Sequence, residues 1–159
     1  MKTESNHLFE IIEKARLELK AIDEKIASTK KIEDKWSMKE IIGHLIDSAA
    51  NNHQRFMRLQ NPTEIVSIKY DQEFWVETQA YQSEKWVDLV ELWYFYNKHL
   101  THLVAHLNQA MLDNKCDMGY AEAKTLEFVV RDYIRHLEHH LNQIVSGVEP
   151  ERREKWVRN

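Results

Sequence analysis

Three glycines, two prolines and one cysteine are all that 159 residues contain. A sheet of many strands needs frequent turns, so this shortage of turn-formers points to a few long helices. The lone Cys116 excludes an intramolecular disulfide, a zinc finger and a CxxC redox pair, and it fits a reducing cytoplasm. No apolar run nears the roughly 18 residues of a membrane span. The N-terminal MKTESNHLFEIIEK lacks the apolar segment of a secretion signal. Basic residues are scattered in a chain of net charge −4 and pI near 6.1. Without a basic block to neutralise phosphates, nucleic acid is not an expected partner.

What the chain does have is hydrophobic residues at 43%, enough for one core, and nine histidines. Four amphipathic segments carry the hydrophobic residues. The first helix is expected over about 6–27, with Leu8, Ile11, Ala15, Leu19, Ile22 and Ile26 on one face. The second starts at Ser37, where SMKE is a capping-box signature, and ends by Asn61-Pro62. Residues 62–83 show no sustained stripe, beyond a helical turn or two at QEFWVETQ, and form a long crossover. A third helix is expected from about Glu84 to Leu112, followed by a loop, DNKCDMGYAEAK. The fourth spans about Leu126 to Ser146, capped by Thr125, with Gly147 and Pro150 marking its end. Trp156 and Val157 are the apolar residues of the polar tail, placed to pack on the bundle or on a partner. With no convincing strand, the expected class is all-α: a four-helix bundle with a long crossover between helices two and three.

Histidines divide by the face they occupy. In RHLEHHLNQI, His136 and His140 continue the apolar edge of the fourth helix, whereas His139 falls in the mostly polar row of Phe128, Asp132 and Arg135. Four residues apart, His136 and His140 stack one turn from each other, a spacing at which two imidazoles can hold one ion. His44 lies in the inward-biased run IIGHLI, where an imidazole needs partners for its nitrogens. A metal shared with His136 and His140 would supply one; a buried hydrogen-bonded histidine network without metal is the alternative. His99, His102 and His106 form a rival row one position off the stripe of the third helix. His7 and His53 read as surface residues. Asp47 and Asp132, each one turn from a candidate ligand, are candidates to orient the imidazoles. Cys116 has no evident activating neighbour beyond Lys115.

WSMKEIIGHLIDS (36–48) and RDYIRHLEHHLNQI (131–144) together resemble the DinB-like (YfiT-type) superfamily of metal-dependent enzymes. The Trp-Ser helix start leading to a first His matches His44, and the C-terminal HxxxH followed by QI matches His136 and His140. His139 stands as the alternative to His140. The resemblance implies a four-helix-bundle domain over residues 1–159, a divalent ion (zinc or nickel) on a His triad, and a homodimer. It implies a transferase using a low-molecular-weight thiol as cosubstrate on a small-molecule substrate. The alternatives are a hydrolase using metal-bound water and a non-catalytic, stress-related metal- or ligand-binding protein. Three imidazoles leave a position open, which suits thiol or water equally. No Ser-His-Asp set and no phosphate-binding glycine loop is present.

Overall fold

The computed structural model describes residues 1–61, 66–67 and 69–146. The expected roles of Pro62, Gly147, Pro150, Trp156 and Val157 lie outside them. In chain order the helices are α1 (Lys2–Lys20), α2 (Glu24–Ser28), α3 (Met38–Arg58), α4 (Gln72–Thr78), α5 (Trp86–Ala105) and α6 (Leu126–Ser146). The four long ones form the bundle: α1 and α3 each pack against both α5 and α6. Leu8, Ile12 and Leu19 of α1 meet Ile42, Leu45 and Phe56 of α3, Leu89, Trp93 and Leu100 of α5, and Leu126, Val130 and Leu137 of α6. All are fully buried. Each such side chain contributes on the order of 1.5–3 kcal/mol through removal from water, and this sum holds the helices in register.

Three sequence expectations are corrected. The first helix ends at Lys20, not near Ala27, because Asp23 caps a new start: its Oδ1 accepts from the Lys25 N–H at 2.8 Å. The break resets the helical phase, so Ala27 is buried and Ile26 is 57% exposed. The third helix stops at Ala105 rather than Leu112. Asn108 ends it by capping a 3-10 turn at Gln109–Met111, while its own N–H is held by Gln60 Oε1 at 2.8 Å. The bundle is also not free of strands. β1 (Val66–Ser67), β2 (Lys115–Asp117) and β3 (Lys124–Thr125) form a small mixed sheet in that order, β1 parallel to β2 and β2 antiparallel to β3. Strands of two or three residues leave no period-2 pattern to read.

Two expected caps are present. Ser37 and Glu40 exchange both bonds of the capping box at the start of α3, and Thr125 Oγ1 accepts from the Phe128 N–H at 3.2 Å. They fix where the two histidine-bearing helices begin, and so which residues face inward.

The crossover is pinned to α3. Asp71 caps α4 by accepting from the Phe74 N–H, and a 3-10 turn, Tyr81–Ser83, follows. The Tyr81 ring lies against Gly43, where a Cβ would sit only 2.1 Å from Tyr81 Cδ2. Glycine is therefore required here for close approach. Ser37 Oγ donates to Gln82 Oε1, and the buried Lys39 ammonium donates to the Glu84 carbonyl and pairs with Glu24.

Gly43→Ala is expected to cost about 1–3 kcal/mol by urea denaturation, because a methyl group there displaces the ring of Tyr81. A change within about 0.5 kcal/mol would show that the crossover is not seated as described.

Candidate metal centre

Helices α3 and α6 face each other with His44 on one and His136 and His140, a turn apart, on the other. One ring nitrogen from each lies within 4.8 Å of the other two. Among the described residues this is the one group of three or more His, Cys, Asp or Glu side chains whose donor atoms converge so. The Nε2 atoms of His44 and His136 are 3.1 Å apart, and the ring centroids of the three pairs are separated by 4.5–5.0 Å. Ligand nitrogens around a tetrahedral ion with bonds of about 2.0–2.1 Å stand roughly 3.3–3.4 Å from each other. The observed approach is close to that spacing.

Neighbouring side chains orient two of the rings. His140 Nδ1 lies 2.6 Å from Gln143 Oε1, which accepts its N–H and leaves Nε2 as the bare nitrogen. His136 Nδ1 faces Ser48 Oγ at 3.5 Å. Ser48 in turn meets Asn52 Nδ2 at 3.4 Å, and Asn52 Oδ1 accepts from the buried Arg55 at 3.2 Å. His44 is fully buried with Trp36 against it, ring centroids 5.0 Å apart, and its Nδ1 has no hydrogen-bond partner. The orienting roles of Ser48 and of Gln143, which belongs to the QI element, are not read from the sequence, although each residue stands one turn beyond a candidate ligand.

The two carboxylates expected to orient the imidazoles are engaged elsewhere. Asp132 is paired with Arg135 and lies 3.5 Å from the Tyr120 hydroxyl. Asp47 accepts from Tyr81 and Gln79 at Oδ1, both at 2.7 Å, and does not serve the buried Nδ1 of His44. Sequence spacing gives the correct turn of helix in each case but not the competing donors, Tyr81 and Gln79 of the crossover for Asp47 and Arg135 of the same helix for Asp132. His139 is half-buried, edge-on to His140 at 5.1 Å, and is not in the converging group. His99, His102 and His106 are exposed and bring no third donor together. His53, expected at the surface, is half-buried between α3 and α5, with Nδ1 3.2 Å from the Tyr96 hydroxyl and its ring 5.3 Å from His99. His7 is exposed and pairs with Glu138. Cys116 is buried in β2, and burial raises its thiol pKa, so it is no activated nucleophile.

A four-helix frame whose facing walls bring three imidazoles together defines a class: helical-bundle proteins with a candidate three-histidine metal centre. The chain belongs to the DinB superfamily, whose profile matches residues 11–144. The fold is that of a solved structure described as "YfiT from Bacillus subtilis is a probable metal-dependent hydrolase with an unusual four-helix bundle topology". The TM-score is 0.78 at 21% identity, over 91% of this chain and 83% of that one. No curated protein sequence matches. Among the described residues, no helix is long and apolar enough to cross a membrane.

Burial, and then the neighbouring His140, push the His44 pKa down to about 3. The folded state therefore keeps this imidazole neutral, as a ligand must be. In the unfolded chain it takes up a proton below its ordinary value of about 6.5, so stability is present above that pH and is lost as pH falls below it. Metal-free protein should lose roughly 2 kcal/mol from this group between pH 7 and pH 5. Urea titrations of wild type and His44→Leu check it: the variant should lack that increment, and an identical pH dependence would contradict it.

Proposed function

We propose that this protein is an enzyme that binds a divalent ion, zinc or nickel, through His44, His136 and His140 and acts on a small molecule. The single observation that carries the reading is the convergence of three ring nitrogens from two helices, one of them on a fully buried side chain. The donor set fits the ion. All three ligands are imidazole, which suits zinc and nickel, and Gln143 holds His140 in the tautomer that presents Nε2. Three protein ligands are the arrangement of catalytic sites, which keep a position for substrate, rather than of closed structural ones.

When bound, such an ion supplies Lewis acidity that lowers the proton affinity of a water or thiol brought to it. The chain's own part is to hold the rings. The wall around His44 excludes water from one side, Trp36 packs on its ring, and Gln143 and Ser48 fix the other two. Transfer that uses a low-molecular-weight thiol as cosubstrate is the reaction the family resemblance implies. Hydrolysis is the second reading, favoured by the description of the B. subtilis structure as a probable metal-dependent hydrolase.

Metal analysis of tag-free protein should find one ion per chain after reconstitution. His44→Ala, His136→Ala and His140→Ala should each weaken binding by at least about 100-fold, while His139→Ala and His102→Ala change it by less than about threefold. Retained binding in all three triad variants would exclude this site. For the reaction, electrophilic substrates turned over with a thiol present and not without it support transfer; turnover that needs no thiol supports hydrolysis.

A further inference from the structure

Asp47 is a buried carboxylate that the metal reading leaves unused. It is 2% exposed and stands one helical turn after His44, on the side of α3 covered by the crossover. Side chains so placed have Cβ atoms roughly 5–6 Å apart. Its two oxygens are treated differently. Oδ1 accepts from the Tyr81 hydroxyl and the Gln79 amide, while Oδ2 is buried with no hydrogen-bond partner.

A carboxylate used only to anchor the crossover needs Oδ1 alone. An asparagine would accept the same two bonds without burying a charge. A buried anionic oxygen left without a donor is costly, and groups held in that condition recur where a site awaits a ligand. We propose that Asp47 is the proton acceptor of the histidine centre, its Oδ2 receiving the hydrogen of the water or thiol that binds beside His44. The inference rests on the metal reading above. In that step the O–H or S–H bond breaks, its electron pair stays on oxygen or sulfur, and the proton forms a neutral carboxylic acid at Oδ2. No oxidant or reductant is involved.

Apart from His139, the other bases nearby are occupied or held protonated. His44, His136 and His140 are the ligands. Burial and the charge of Asp47 keep the Tyr81 and Tyr70 phenols protonated. Asp132 is paired with Arg135. Burial raises the pKa of Asp47 itself, which favours proton uptake, while the bonds from Tyr81 and Gln79 act in the other direction. His139, beside His140, is the rival acceptor.

The test uses cobalt(II)-loaded full-length protein as wild type, D47N and H139Q, with 2-mercaptoethanol as the thiol probe. Thiol binding is followed by calorimetry in buffers of different ionisation enthalpy, and the cobalt visible spectrum is followed against pH without thiol. D47N should bind cobalt with an affinity within about threefold of wild type and melt at the same or a higher temperature, since it loses only an unsatisfied buried charge. Wild type should release no net proton on taking up thiol, whereas D47N should release about one, making its thiol affinity rise about tenfold per pH unit. If water is the ligand, the pH midpoint of the cobalt spectrum should move up by at least about one unit in D47N. H139Q should match wild type in both arms. Equal proton release and equal midpoints in wild type and D47N would overturn the proposal. So would a response that follows His139, or a D47N protein that melts lower and loses cobalt, which would mark Asp47 as structural. Failure of wild type to bind cobalt is a separate result, against the metal reading itself.

Discussion

The structure turns on one neutral imidazole held in an apolar wall. His44 sits among Ile42, Leu45 and Ile46 on the inner face of α3, where its charged form is excluded and its nitrogens must find partners within the protein or on an ion. Burying it fixes the rotation of α3, and that rotation decides what else points inward: Asp47 toward the crossover, Ser48 toward α6. The polar seam continues through Asn52 to Arg55, all buried. A helix that spends so much of its inner face on polar groups gives up packing energy that leucines would supply. It persists because Leu45, Ala49, Phe56 and the α1–α5 contact carry the core around it.

The crossover belongs to the same arrangement. It does more than return the chain to the starting end of the bundle, since Gly43 admits Tyr81 against the backbone of α3, and Tyr81 and Gln79 then take one oxygen of Asp47. Residues 30 or more positions later in sequence thus pack on the helix that carries His44. Removing the Cβ at one position of α3 gives up helix propensity of about 1 kcal/mol, and the close approach of the ring offsets it.

Much of this was legible in the sequence because it is written in helical period. The apolar row Leu126, Val129, Val130, Tyr133, Leu137, Leu141 and Ile144 is buried throughout, as its spacing predicts, and Ser37 and Thr125 mark the helix starts. The same period brought His136, His140 and His44 forward as a set. What the sequence concealed depends on competition among partners, some local and some from other elements. Asp23 ends the first helix early through a local cap that competes with an unbroken apolar stripe. Asp47 and Asp132 stand at the right turn but are taken by Tyr81, Gln79 and Arg135. Gln143 and Ser48 appear as ordinary polar residues until α3 and α6 are set face to face.

The central claim is that His44, His136 and His140 share one ion. X-ray absorption of the zinc-reconstituted protein tests it most directly. The account predicts three imidazole nitrogens at about 2.0–2.1 Å, with their outer-ring scattering, plus a lighter exchangeable ligand, and a loss of one imidazole in His44→Ala. A shell of oxygen alone, a sulfur at about 2.3 Å, or a spectrum unchanged in His44→Ala would contradict it.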